Sequence, residues 1–257
     1  MPRHVEAYLD GLALRDAAPK VWIKQITEEI GALDASTAVF SGTDGERLLG
    51  PPRRRSLTVT IAATIHEVYD LTYRAQAQDA IAAWMGKGGV LTVSYRPDKR
   101  LRVAPGAVPA LGKVRDYTQE ITMKLTAYAV PYWEDVDART WTYDADDDGE
   151  DEIAITGARE TPLQALIVPS AELDTFTLQV GDDFITLADL NLASGKALVI
   201  GRTTDDFLTI TADGVGILNK RTAASSDDLL LRPGANTVSW TADAACAVTL
   251  SARGRYE

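Results

Sequence analysis

The segment Leu125-Thr126-Ala127-Tyr128-Ala129-Val130-Pro131-Tyr132-Trp133-Glu134 divides the chain into two parts of opposite charge. Residues 1–133 hold 17 Lys and Arg against 14 Asp and Glu, a net of +3. Residues 134–257 hold 9 against 23, a net of −14, and together they make the −11 of the whole chain. Proline brings no amide hydrogen to a ladder and so closes a strand. An aromatic-proline stop at a charge boundary predicts two modules, 1–133 and 153–257, separated by an acidic linker, 134–152. A chain of 257 residues has room for two ordinary domains.

The first module mixes both periodicities. Strand-like segments open it at Tyr8–Leu14 and Val21–Ile26. The turn-rich loop Ser41–Glu46 and the run Gly50-Pro51-Pro52-Arg53-Arg54-Arg55-Ser56 follow. Leu57, Val59, Ile61, Ala63 and Ile65 then alternate with Thr58, Thr60, Ala62, Thr64 and His66, which predicts a strand with one buried face. Ala77, Ala80, Ile81, Trp84 and Met85 form one stripe of a 3.6-residue period, predicting a helix. Asp70 suits its N-cap, and Gly86-Lys87-Gly88-Gly89 its stop. Strands at Val90–Tyr95 and Gln119–Val130 complete an α+β module, a β-sheet or split barrel with one helix.

The second module has no helical stripe. Short apolar runs recur between turn signals from Glu152 to Ala252, among them Thr237–Thr241 and Ala247–Ala252 as separate strands, the pattern of an antiparallel all-β sandwich. Arg232-Pro233-Gly234-Ala235-Asn236 is a turn between two of them.

Composition excludes several functions. A net charge of −11 argues against nucleic-acid binding over the whole surface, since phosphates are neutralised by Lys and Arg. The single cysteine, Cys246, permits no internal disulfide and sits among Ala and Val, as a buried strand residue would; the alternative is a reactive thiol. The amino terminus has no apolar signal core, and no apolar run approaches the roughly 20 residues of a membrane span.

Candidate chemistry is sparse. Only His4 and His66 are present, with no Gly-x-Ser-x-Gly elbow and no histidine near the cysteine in sequence, so catalysis is not expected. No phosphate-binding loop is expected either, because Gly86–Gly89 follows a helix whereas a phosphate cradle precedes one. Asp144-Ala145-Asp146-Asp147-Asp148-Gly149 matches the first half of an EF-hand loop. The twelfth position is Ile155 rather than a bidentate Glu, so Asp144, Asp146 and Asp148 are either calcium ligands or a solvated loop. Arg53, Arg54 and Arg55 are either a charged strand start that keeps an edge soluble or a contact with an acidic surface, including one on a second copy. Trp240 suits a core. Trp133 and Trp141 flank the acidic stretch, where they could pack the two modules together.

The order of these features resembles the distal tail proteins of long-tailed, non-contractile bacteriophages. The resemblance rests on Tyr8-Leu9-Asp10-Gly11-Leu12, on the succession of glycine-rich loop, basic residues, long strand and helix from Ser41 to Met85, and on Ala127–Trp133. It rests further on Gly157-x4-Pro162 and on Leu231–Trp240 followed by a last strand to Arg255-Tyr256. The resemblance implies a structural virion protein without cofactor or catalysis, assembled in the host cytoplasm. It would form a hexameric ring at the tail tip, between the tail tube protein and a hub or fibre protein. The first domains would surround a channel that DNA crosses without specific contact, and galectin-like sandwiches of jelly-roll type would project outward. The other reading is a carbohydrate-binding sandwich for host-surface adhesion, favoured if Trp141 or other rings are exposed on a sheet face.

Overall fold

The computed structural model describes residues 5–34, 37–39, 47–48, 53–66, 69–107, 109–115 and 117–257. His4, the loop Ser41–Glu46 and Gly50–Pro52 lie outside the described residues. The protein is mostly β-sheet and divides into two compact units, Met1–Trp133 and Glu134–Glu257.

In the first unit four strands form an antiparallel sheet in the order Ala110–Arg115, Thr118–Ala127, Leu57–His66, Val21–Ile30. The alternation at 57–65 puts Leu57, Val59, Ile61, Ala63 and Ile65 on the buried face, beside Ile121, Met123, Leu125 and Ala127. The expected strand over 119–130 stops at Ala127, and Ala129 is exposed rather than buried. The helix Leu71–Gly86 starts where Asp70 accepts from the amides of Thr72 and Tyr73. It buries Ala77, Ile81, Trp84 and Met85 and is tied to the sheet by Gln78, whose Nε2 donates to Gln119 Oε1 at 3.0 Å. Gly88, at φ 66°, turns the chain into the strand Gly89–Val93. That strand pairs with Arg96–Val103 on one side and with Ala7–Leu9 on the other. Ala7–Leu9 pairs in turn with Leu12–Ala13 through a two-residue Asp10-Gly11 turn. Both turn residues have positive φ, which suits the right-handed twist of a hairpin.

The second unit is organised by one 19-residue strand, Gly234–Ala252. Arg139–Ile155 pairs along one edge of it from end to end. The other edge is shared, with Phe176–Val180 beside Val238–Ala242 and Gln164–Pro169 beside Cys246–Ser251. That edge changes partner between Ala242 and Cys246, and the register slips across Tyr143–Asp148 opposite. The paired strands bend there and carry one eight-stranded sheet round into a sandwich-like curl. Side chains from both arms, among them Phe176, Leu178, Ile185, Ile167, Ile200 and Val248, pack into one core.

Two expectations are corrected here. The acidic stretch 134–152 is not a linker: from Arg139 it is part of the longest partner of the central strand. The runs expected as two strands, 237–241 and 247–252, are one.

Candidate functional site

Of the residues weighed for catalysis, His66 and Cys246 lie among the described residues. His66 ends its strand edge-on to Trp22, with ring centroids 5.9 Å apart. Cys246 is fully buried, donates to the Ala244 carbonyl, and has its thiol pKa pushed up to about 11, first by burial and then by Asp243. A thiol held protonated is a packing group, not a nucleophile.

Asp144, Asp146 and Asp148 occupy alternate positions on an extended strand, all exposed. Extended backbone spreads these carboxylates along the strand, whereas a calcium loop curls them round one point. Among the described residues no group of three or more His, Cys, Asp or Glu is placed to hold a metal. Gly149 does not make a calcium-loop turn. A Cβ on it would overlap the Trp240 indole, 2.6 Å from Cε2, so glycine is there to let the ring lie on the backbone. Tyr143 packs on that ring at 4.6 Å and donates to Asp151 at 2.7 Å.

Of the basic cluster, Arg53–Arg54 is a two-residue strand paired with Leu33–Asp34. Arg54 stands over the Tyr132 ring at 5.9 Å. Arg55 donates to Asp34 at 3.0 Å, an exposed pair of small energetic weight.

The tryptophans are accounted for within their own units. Trp240 is 4% exposed, and Trp141 is partly buried against the second core rather than presented as a sugar platform. Trp133 is fully buried in the first unit, where its Nε1 donates to Glu28 Oε2 at 2.9 Å. Glu28 also accepts from Tyr95 at 2.8 Å and pairs with Arg96 at 3.5 Å, while Arg96 covers the Trp133 ring at 5.4 Å. Burial, then the bond to Glu28, pushes the Tyr95 phenol up. This knot around Glu28 gives the sequence no motif: its members lie at 28, 95, 96 and 133.

What the structure assembles instead is surface. The four-stranded sheet of the first unit ends in two strands, Val21–Ile30 and Ala110–Arg115, that have no further strand partner among the described residues. Each exposes apolar side chains: Trp22 and Ile30 on one, Leu111 and Val114 on the other, all about half exposed. Exposed apolar groups on unpaired edge strands are available for contact with a neighbour. The outer face between these edges is rich in hydroxyls. It carries Thr58, Thr60, Thr118, Thr122 and Thr126, with Thr58 and Thr126 bonded across the pair at 3.1 Å. Its charges include an ion pair, Lys24 with Glu120 at 3.1 Å.

Such a succession, a helix-bearing β unit followed by a curled sandwich-like sheet, is a known two-part fold. The chain is similar over nearly its full length to the crystal structure of the SPP1 Dit protein (gp 19.1), described as a paradigm of the hub adsorption apparatus in phages infecting Gram-positive bacteria. The TM-score is 0.71 at 12% identity, over 96% of this chain and 98% of that one. No protein-family model matches the sequence, and no curated protein matches it.

Proposed function

We propose that this protein is a structural component of the tail tip of a long-tailed, non-contractile phage, a distal tail protein without enzymatic activity. The observation that carries this reading is a likeness to a phage hub protein that spans both units. Six copies would form a ring between the tail tube protein and a hub or fibre protein, with the second units as outward galectin-like sandwiches.

The first unit supplies a means of closure. Its two edge strands run in opposite directions, because three antiparallel steps separate them. When copies are related by rotation about an axis along the strands, each meeting of unlike edges is again antiparallel. A closed ring then leaves no edge exposed. Arg53, Arg54 and Arg55 belong to the same unit and add positive charge toward an acidic neighbour.

Light-scattering mass and electron microscopy of the purified protein test this. Rings of the full chain are expected at high concentration or with tail partners. The double substitution Leu111→Lys, Val114→Lys is expected to give a folded monomer. Absence of any ring with the partners present refutes the reading.

A further inference from the structure

Residues 253–257 leave the end of the central strand and are bonded to the residues with which the second unit begins. Gly254 accepts from the Asp135 amide at 3.1 Å, and its own amide donates to Asp135 Oδ2 at 3.1 Å. Tyr256 donates from its hydroxyl to the same carboxylate oxygen at 3.3 Å and is bonded to Thr156 Oγ1 at 3.0 Å. Arg253 donates to the carbonyls of Asp135, at 3.0 Å, and Val136. The Arg255 carbonyl accepts from the Ala158 amide at 2.7 Å.

The Arg255 side chain, 9% exposed, is the centre of this arrangement. Its Nη2 lies 2.7 Å from both oxygens of Asp206, and its Nε 3.8 Å from Glu134, itself 5% exposed. Asp206 sits on a turn at φ 66°, and its carbonyl accepts from Arg202, which pairs with Asp228. Two backbone sites are closed to any side chain: a Cβ on Gly254 would strike the Thr156 carbonyl, and one on Gly157 the Arg255 carbonyl at 2.8 Å. A carboxylate and a guanidinium this deeply buried are stable only together, so the contact is all-or-none.

We infer that residues 253–257 are a clasp that pins residues 134–136 to the second unit, through the Arg255 contacts with Asp206 and Glu134. The clasp joins the start of the unit to the continuation of its central strand, Gly234–Ala252.

Hydrogen exchange followed by mass spectrometry on the full chain tests this, with Arg255→Gln and Asp206→Asn as separate variants. In at least one variant the amides of residues 134–136 and 254–256 are expected to exchange at least about tenfold faster. Those of Gln164–Pro169 and its partners 246–251 are expected to keep their protection in that variant. Unchanged exchange at 134–136 in both variants, or loss of protection across the whole second unit in both, overturns the clasp.

Discussion

Single residues in the second unit are constrained more by their neighbours than by their own chemistry. Gly149 is the clearest instance, since the Trp240 ring occupies the space a side chain would need. Gly149→Ala is expected to destabilise the unit by about 1–3 kcal/mol through overpacking. Gly216→Ala, where a Cβ meets nothing within 4 Å, is expected to stay within about 0.5 kcal/mol. Urea unfolding of the two variants measures the difference. Cys246 offers a second test. Its folded pKa is about 11, raised from 9.0, so above pH 9 the unfolded chain releases a proton that the folded one retains. Its contribution to stability is whole below pH 9 and is lost as pH rises toward 11. Cys246→Ala should flatten that part of the stability-pH curve, read by denaturant midpoints in alkaline buffers.

At the level of elements, the strand Arg139–Ile155 has only the central strand as a partner among the described residues, yet its exposed positions include Asp144, Asp146, Asp148, Glu150 and Glu152. Like charges at alternate positions of an open edge repel a second copy, a common protection against edge pairing. Converting Asp144, Asp146, Asp148 and Glu150 to the amides is expected to produce larger, open-ended assemblies, seen as rising light scatter at low salt. The native chain should approach that behaviour only when salt screens its edge. The same strand shows where sequence reading loses its grip. Leu57–His66 and Leu71–Gly86 were legible because alternation, stripe and the Asp70 cap agree locally. Residues 139–151 were not, because Asp and Gly are poor strand formers and the segment is held by partners a hundred residues away. For the same reason the runs 237–241 and 247–252 read as two strands: the bend between them looks like a turn until both edges are paired. The open edges bearing Trp22, Leu111 and Val114 were invisible for a related cause, since edge status belongs to the sheet and not to any one strand. The clasp members at 134–136, 206 and 253–256 meet only in the folded unit.

If six copies form the proposed ring, a chain of net charge −11 must surround a polyanion without gripping it. Under the ring reading, the apolar face of the four-stranded sheet is spent on the core of its own unit, which leaves the threonine face for the channel. Thr58 and Thr126 on that face bond to each other. The charges at Lys24 and Glu120 offset, and Lys124, exposed opposite Thr60, adds one cation, so the face presents few to a passing phosphate backbone. Affinity for DNA grows with the number of phosphates that Lys and Arg neutralise, each neutralised phosphate adding close to one unit to the slope of log affinity against log salt. Thr60 and Thr122 lie on this face in neighbouring strands, so Thr60→Arg with Thr122→Arg adds two cations per copy without touching the buried side. In an assembled ring these repeat around the channel and add many phosphate contacts at once. Fluorescence anisotropy with duplex DNA over a salt series is therefore expected to show no binding by the native ring. The doubly substituted ring should bind strongly and with a steep salt dependence, and a ring carrying two arginines on the second unit instead, at Thr209 and Thr211, should bind less. Equal binding by the two arginine rings would place the threonine face away from the channel.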